Sequence, residues 1–193
     1  VTGEERRLTD VPGNDINGYW SHDSKKVAFQ SDRSGTWQIY TVDVQTGDIT
    51  LISDGLGEDI DPAFSFKDDR IAFRSTRDGG TTTRIYVMNA DGSDVQAISP
   101  EGATASSQTW YVDDSIIAYQ SDADGDFDIY VYEFASQKTR LVTDNTIGDY
   151  APTWFCAAPI VIFTSDIIEG DPNIYNTPAL PIEANAILVE EEA

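Results

Sequence analysis

The chain has 193 residues, 40% of them hydrophobic and 11% aromatic, which is enough apolar mass for one domain with its own core and too much for a disordered chain. Thirty-four acidic residues against 12 basic ones give a formal charge of −22. That field repels phosphate backbones and anionic lipid, so no nucleic acid is expected as partner, whereas cations and basic partners are favoured.

No run approaches the length of an apolar membrane span, so no membrane insertion is expected. The one cysteine, Cys156, cannot form an intrachain disulfide. It sits in the apolar run Trp-Phe-Cys-Ala-Ala and is expected to be a buried, inert thiol. The one histidine, His22, falls in a predicted turn far from Cys156 in sequence, which gives a zinc site or a Cys-His pair little support. The chain opens on Val1 rather than Met, as a processed or trimmed product would, and this is compatible with export.

In chain order, residues 1–14 come first. Arg6-Arg7-Leu8-Thr9-Asp10 looks like a stray outer strand, by comparison with Thr139-Arg140-Leu141-Val142-Thr143-Asp144. Four units follow, approximately 15–58, 59–104, 105–148 and 149–193. Their first aromatic anchors are Trp20, Phe64, Trp110 and Trp154, spaced 44, 46 and 44 residues apart. The second anchors, Phe29, Phe73, Tyr119 and Phe163, keep the same spacings, and each is followed two residues later by Ser31, Ser75, Ser121 or Ser165. An Ile-Tyr pair then recurs at Ile39, Ile85, Ile129 and Ile174.

Each unit reads as four short strands. The first carries the Trp or Phe anchor. The second alternates, as in KVAFQS and RIAFRS. The third carries Ile-Tyr, and the fourth reads ITLIS or TRLVT. Asp- and Gly-rich turns separate them. A four-stranded unit of about 45 residues, repeated, is the signature of a propeller blade. The expected fold is therefore all-β, a β-propeller of four four-stranded blades, either a small closed ring or part of a larger one. One blade cannot bury both of its faces, so every aromatic anchor is expected in the core between blades.

The units resemble the propeller repeats of the TolB family. The second unit carries the likeness through Asp59, Pro62, Phe64-Ser65, Ile71-Ala72-Phe73, Arg77-Asp78-Gly79, Ile85-Tyr86-Val87-Met88 and Asp91-Gly92. The first unit carries it through Trp20-Ser21, Asp23, Val27-Ala28-Phe29 and Asp32-Arg33. The third and fourth units replace the Ser-Pro-Asp-Gly turn with Tyr-Val-Asp-Asp and Phe-Cys-Ala-Ala, and the chain ends in an acidic tail, Glu190 to Glu192. The resemblance implies a propeller, an extracellular, cell-surface or periplasmic location, and rings that usually carry more than four blades.

Three groups of residues are candidates for a site. Asp15, Asp59 and Asp149 each lie five residues before an aromatic anchor, near the start of the innermost strand, and are candidates to ring one mouth of the channel. The alternative is that they cap turns. Asp122, Asp124, Asp126 and Asp128 alternate around a glycine and offer hard oxygens to Ca2+, the one cofactor considered, although the trailing Glu of an EF-hand is missing. Ordinary turns in the other units, DRSGTWQ and TRDGGTT, favour a turn here as well. Arg6, Arg7, Leu8 and Thr9 are candidates for strand exchange. They would complete either the unit around Ile174-Tyr175 or a neighbouring molecule, in competition with Ala186 to Val189.

No G-x-S-x-G or phosphate-loop motif occurs, and the single histidine leaves no Ser-His-Asp set outside a turn. No enzyme is expected. The leading expectation is a non-catalytic protein–protein interaction or assembly module that binds a protein partner or itself. The alternatives are a structural subunit of an extracellular assembly linked by terminal strands, and the propeller part of a larger hydrolase.

Overall fold

The computed structural model describes residues 3–166 and 172–179. Every regular element among them is a β-strand. Blade one holds β1 (Asp15–Trp20), β2 (Lys26–Ser31), β3 (Gln38–Asp43) and β4 (Ile49–Leu51). Blade two holds β5 (Asp59–Phe64), β6 (Arg70–Ser75), β7 (Arg84–Asn89) and β8 (Gln96–Ala97). Blade three holds β9 (Ala105–Trp110), β10 (Ile116–Ser121), β11 (Asp128–Glu133) and β12 (Lys138–Leu141). Blade four holds β13 (Asp149–Phe155), β14 (Ile160–Ser165) and β15 (Asn173–Pro178).

Each blade is one antiparallel meander in chain order. Blade four has three strands among the described residues. The expected fourth strand around Ala186 to Val189, and the acidic tail, lie outside them.

The turns explain why the chain reverses where it does. Between the first and second strands, Ser24, Asp68 and Asp114 adopt left-handed backbone with φ of 61°, 60° and 64°. Short polar side chains tolerate that region best after glycine. Ser21 Oγ accepts the N–H groups of Lys25 and Lys26, and Ser65 Oγ accepts that of Arg70, which closes the turn. Gly92, at φ 89°, serves the β7–β8 turn. A Cβ there would collide with the Ile52 carbonyl of blade one, so the position needs glycine for space as well as for conformation.

The first strands of successive blades touch one another, which makes them the innermost. The core lies between blade faces. Ala28, Ile39 and Ile52 of blade one meet Phe64, Ile71, Phe73, Tyr86 and Met88 of blade two. Blade two meets Trp110, Ile117, Tyr119, Tyr130 and Tyr132 of blade three in the same way. Blade three meets Val161 and Phe163 of blade four. Each fully buried aromatic or aliphatic side chain in these layers contributes about 1.5–3 kcal/mol.

Two sequence expectations need correction. Trp20 is 51% exposed, whereas Phe64 and Trp110 are buried. The reason is that no blade precedes blade one among the described residues, so its anchor has no face to enter. Cys156 is exposed. It occupies the β13–β14 turn, where an apolar sequence run does not bring burial because the chain is reversing at the surface.

Candidate functional site

The channel side of the arc is built by a defect repeated in every innermost strand. The pairing of β1, β5, β9 and β13 with the second strand slips after two residues. At each slip one residue is left-handed: Asn17, Asp61, Ser107 or Ala151, with φ between 50° and 57°. A bulge of this kind re-aims a side chain and frees backbone groups for other partners.

The freed groups link neighbouring blades. Asn17 Nδ2 donates to Asp61 Oδ1 at 2.6 Å and to Gln30 Oε1 at 3.1 Å. Gln30 Oε1 accepts the Asp61 N–H at 2.9 Å, and Gln120 Oε1 accepts the Ala151 N–H at 2.8 Å. Gln108 Nε2 donates to the Asp61 carbonyl at 2.6 Å, and Arg74 Nη2 pairs with Asp61 Oδ2 at 2.6 Å. A groove of about 450 Å3 runs along this face, lined among others by Asn17, Tyr19, Asp61, Arg74 and Gln108. Two of its residues keep buried polar atoms without a partner, Arg74 Nε and Gln108 Oε1. The arrangement offers hydrogen-bonding groups and an ion pair to a polar ligand.

Asp15, Asp59 and Asp149 are the first residues of β1, β5 and β13, as expected, but they do not ring an open mouth. Asp59 and Asp149 are fully buried. Arg33 Nη2 meets both oxygens of Asp15 at 2.7 and 2.8 Å, and Arg77 Nη2 meets both of Asp59 at 3.1 and 3.2 Å. Each arginine also lies over two aromatic rings of its blade, Phe29 and Tyr40 or Phe73 and Tyr86. The acid is turned into the blade because a buried charge needs a partner, and the arginine 18 residues later supplies it. Burial pushes the Asp59 carboxyl up, while Ser75 and Arg77 pull it down without cancelling the rise. For Asp15 burial also raises, but hydrogen bonds from Arg33, Ser31 and Thr9 outweigh it and hold the carboxyl below its ordinary value.

The acidic run of blade three is divided. Carboxylate oxygens of Asp124, Asp126 and Asp128 lie within 4.8 Å of one another. Asp122 and Asp149 both stand outside that group. Asp122 Oδ1 accepts the Thr104 N–H at 2.6 Å, as Asp32 accepts that of Asn14 at 2.8 Å in blade one. Burial, and after it the charges of Asp124, Asp126 and Asp149, push the Asp128 carboxyl up to about 6 against a hydrogen bond from Thr143.

Arg6, Arg7, Leu8 and Thr9 form no strand and do not lie beside β15, which pairs only with β14 among the described residues. Leu8 instead packs on the outer face of blade one, against the cluster of Val27, Phe29, Tyr40 and Val42. The reason is visible in the repeat. Leu8 lies seven residues before Asp15, as Ile52, Ile98 and Val142 lie seven before Asp59, Ala105 and Asp149. Those three residues pack on the face of the next blade, and Leu8 does the same for blade one.

Sequence reading missed the links between blades. The N–H groups of His22 and Asp23 donate to Asp68 at 2.7 and 2.9 Å, and those of Phe66 and Lys67 donate to Asp114 at 2.6 and 2.9 Å. Trp110 Nε1 donates to the Ala63 carbonyl and Trp154 Nε1 to the Thr109 carbonyl, each at 3.0 Å. The spacing of Asp15 to Arg33 and of Asp59 to Arg77 was a usable signal. The clamp acids had none, because an Asp in a turn looks the same whether it caps its own turn or that of its neighbour.

Antiparallel meanders arranged with their first strands innermost and their faces packed on one another define a β-propeller arc. The TolB beta propeller domain family matches residues 39–167, more than half of the chain, and the chain belongs to that family. No curated protein matches it. Among solved structures it is similar to TolB from Acinetobacter baumannii, with 18% identity and a TM-score of 0.69 over 86% of this chain and 41% of that one. A putative TolB from Agrobacterium tumefaciens gives 21% identity and a TM-score of 0.59 over 69% of this chain and 50% of that one. A puromycin-hydrolysing peptidase of Mycobacterium tuberculosis gives 14% identity and a TM-score of 0.65 over 85% of this chain and 29% of that one. Likeness at these identities is a likeness of fold, and the chain spans half or less of the length of each.

Proposed function

We propose that the chain is a non-catalytic binding and assembly module, exported to the envelope or beyond, whose two end faces receive further blades of the same type from a second copy. One observation carries the reading. Trp20 is half exposed at the position where Phe64 and Trp110 are buried and from which Trp110 and Trp154 bond the preceding blade. Blade four presents its counterpart, with Phe155 and Ile174 47% and 79% exposed on the other end face. By the repeat, Trp20 Nε1 of one copy would reach the Thr153 carbonyl of another. Such a contact is head-to-tail and builds rings or filaments according to the rotation it imposes.

Light scattering with intact mass spectrometry on the native protein tests this. A chain near 21.2 kDa in assemblies that Trp20→Ala disperses would support it. A chain of that mass that stays monomeric at high concentration would end it. The second reading, the propeller part of a larger hydrolase, draws on the likeness to the peptidase, of which this chain matches a minor part. A native protein much heavier than the chain and carrying a Ser-His-Asp set would favour it.

A further inference from the structure

We propose that blades three and four are bridged by a divalent cation of the calcium class, held by Asp124, Asp126 and Asp128 together with Asp149, the first residue of β13. The loop acids alone would be an ordinary exposed cluster. The two buried acids make the difference. Asp128 and Asp149 are both fully buried, and each leaves one oxygen without a partner, Oδ2 of Asp128 and Oδ1 of Asp149. The other oxygens are engaged, by Thr143 Oγ1 at 2.7 Å and by Asn145 Nδ2 at 2.9 Å. Asp126 Oδ2 is likewise buried and unpartnered. The Asp149 N–H donates to the Phe127 carbonyl at 2.6 Å, which fixes β13 against the start of β11.

The other two interfaces show what this one lacks. The residue before the Ile-Tyr pair is Gln38 in blade one, Arg84 in blade two and Asp128 in blade three. The innermost strand that meets it begins with Asp59, Ala105 and Asp149 respectively. Asp59 has Arg77 18 residues later, whereas the residue 18 after Asp149 is Ile167, which lies outside the described residues. Among the described residues, therefore, only the interface between blades three and four carries an acid at both positions, close enough for the Asp149 charge to act on Asp128, and neither acid has an arginine partner there. A buried carboxylate without a counter-charge is strongly disfavoured, so a bound cation resolves what protonation would otherwise have to. Carboxylate oxygens without imidazole or thiolate select a hard cation that takes six to eight oxygens, and backbone carbonyls and water fill the remaining positions.

The test is calorimetric titration of the chelator-treated 193-residue chain with CaCl2, paired with thermal melts. The expected result is one site with a dissociation constant on the order of 10 μM to 1 mM and a melting temperature that rises with calcium. Asp128→Asn and Asp149→Asn should each weaken binding at least tenfold. Both variants should melt no lower than the parent without calcium, because each removes an uncompensated buried charge. Asp122→Asn should bind as the parent does. No heat and no stabilisation up to 10 mM calcium would overturn the site. So would unchanged binding in Asp149→Asn, or a loss in Asp122→Asn equal to that in Asp128→Asn, which would return the ligand set to the loop.

Discussion

The same residue type does different work according to which face it enters. Trp110 is buried, bonds the Ala63 carbonyl, stacks on Phe134 at 5.5 Å and lies under the Arg70 guanidinium at 4.8 Å. Trp110→Ala should cost about 3–5 kcal/mol. Trp20→Ala should cost far less in dilute solution, because half of that side chain is already in water. Urea unfolding of the two variants measures the contrast, and equal losses would mean that Trp20 is covered in the monomer. Asp78 gives a pH signature. The Tyr86 hydroxyl and Arg84 Nη1 both donate to its Oδ2 at 2.6 Å. The Tyr86 bond, aided by Arg84, holds the carboxyl below its ordinary value against some burial. A lowered folded-state pKa means that the stabilisation is present above the ordinary carboxylate value and is lost as pH falls through the folded one. Asp78→Asn should therefore destabilise by about 1 kcal/mol or less at neutral pH, since the side chain is 40% exposed and screened by solvent. The difference from the parent should vanish in strong acid, and a difference that persisted there would assign the effect to packing.

At the scale of elements, each blade is stabilised chiefly by its neighbours, as in other repeat proteins. Blade two is covered on both faces, by blades one and three. The outer face of blade one has a thinner cover, the segment around Leu8. Leu8→Ala should therefore loosen blade one selectively. Amide hydrogen exchange in β2 and β3 should quicken several-fold while that in β6 and β10 stays near the parent rate. Uniform quickening would mean that the arc opens as one cooperative unit. The turn clamps support the same gradation. Asp68 ties blade one to blade two and Asp114 ties blade two to blade three, but the corresponding residue of blade four is Ala158. The third interface lacks that clamp and is the one where the buried acids gather.

At the scale of the molecule, the chain carries a formal charge of −22, and apolar side chains stand exposed on its first and fourth blades, Trp20, Phe155 and Ile174 among them. Repulsion between copies opposes association at long range, and apolar contact favours it at short range. The proposed head-to-tail assembly should then strengthen with added salt, because screening shortens the repulsion to about 8–10 Å at physiological ionic strength while the apolar contact is untouched. Sedimentation at low and moderate salt measures this, and dissociation on adding salt would point to a contact built from ion pairs instead.

The sequence by itself determined the blade. Four sets of anchors in register, alternating strands and Asp-Gly turns are local facts, and every strand of the first three units falls where they place it. The acids at the start of the inner strands and the metal-like run of blade three were legible too, because spacing in a repeat survives without coordinates. Only the tertiary structure decided what those acids meet. Arg33 and Arg77 neutralise two of them, while Asp149 of the next unit adds its charge to the surroundings of Asp128, a relation that no spacing within one unit encodes. It also decided which anchors are core, for burial depends on the neighbouring blade: identical tryptophans are buried at Trp110 and exposed at Trp20. Local sequence fixes backbone and turn, whereas charge compensation and burial belong to whatever face packs against them.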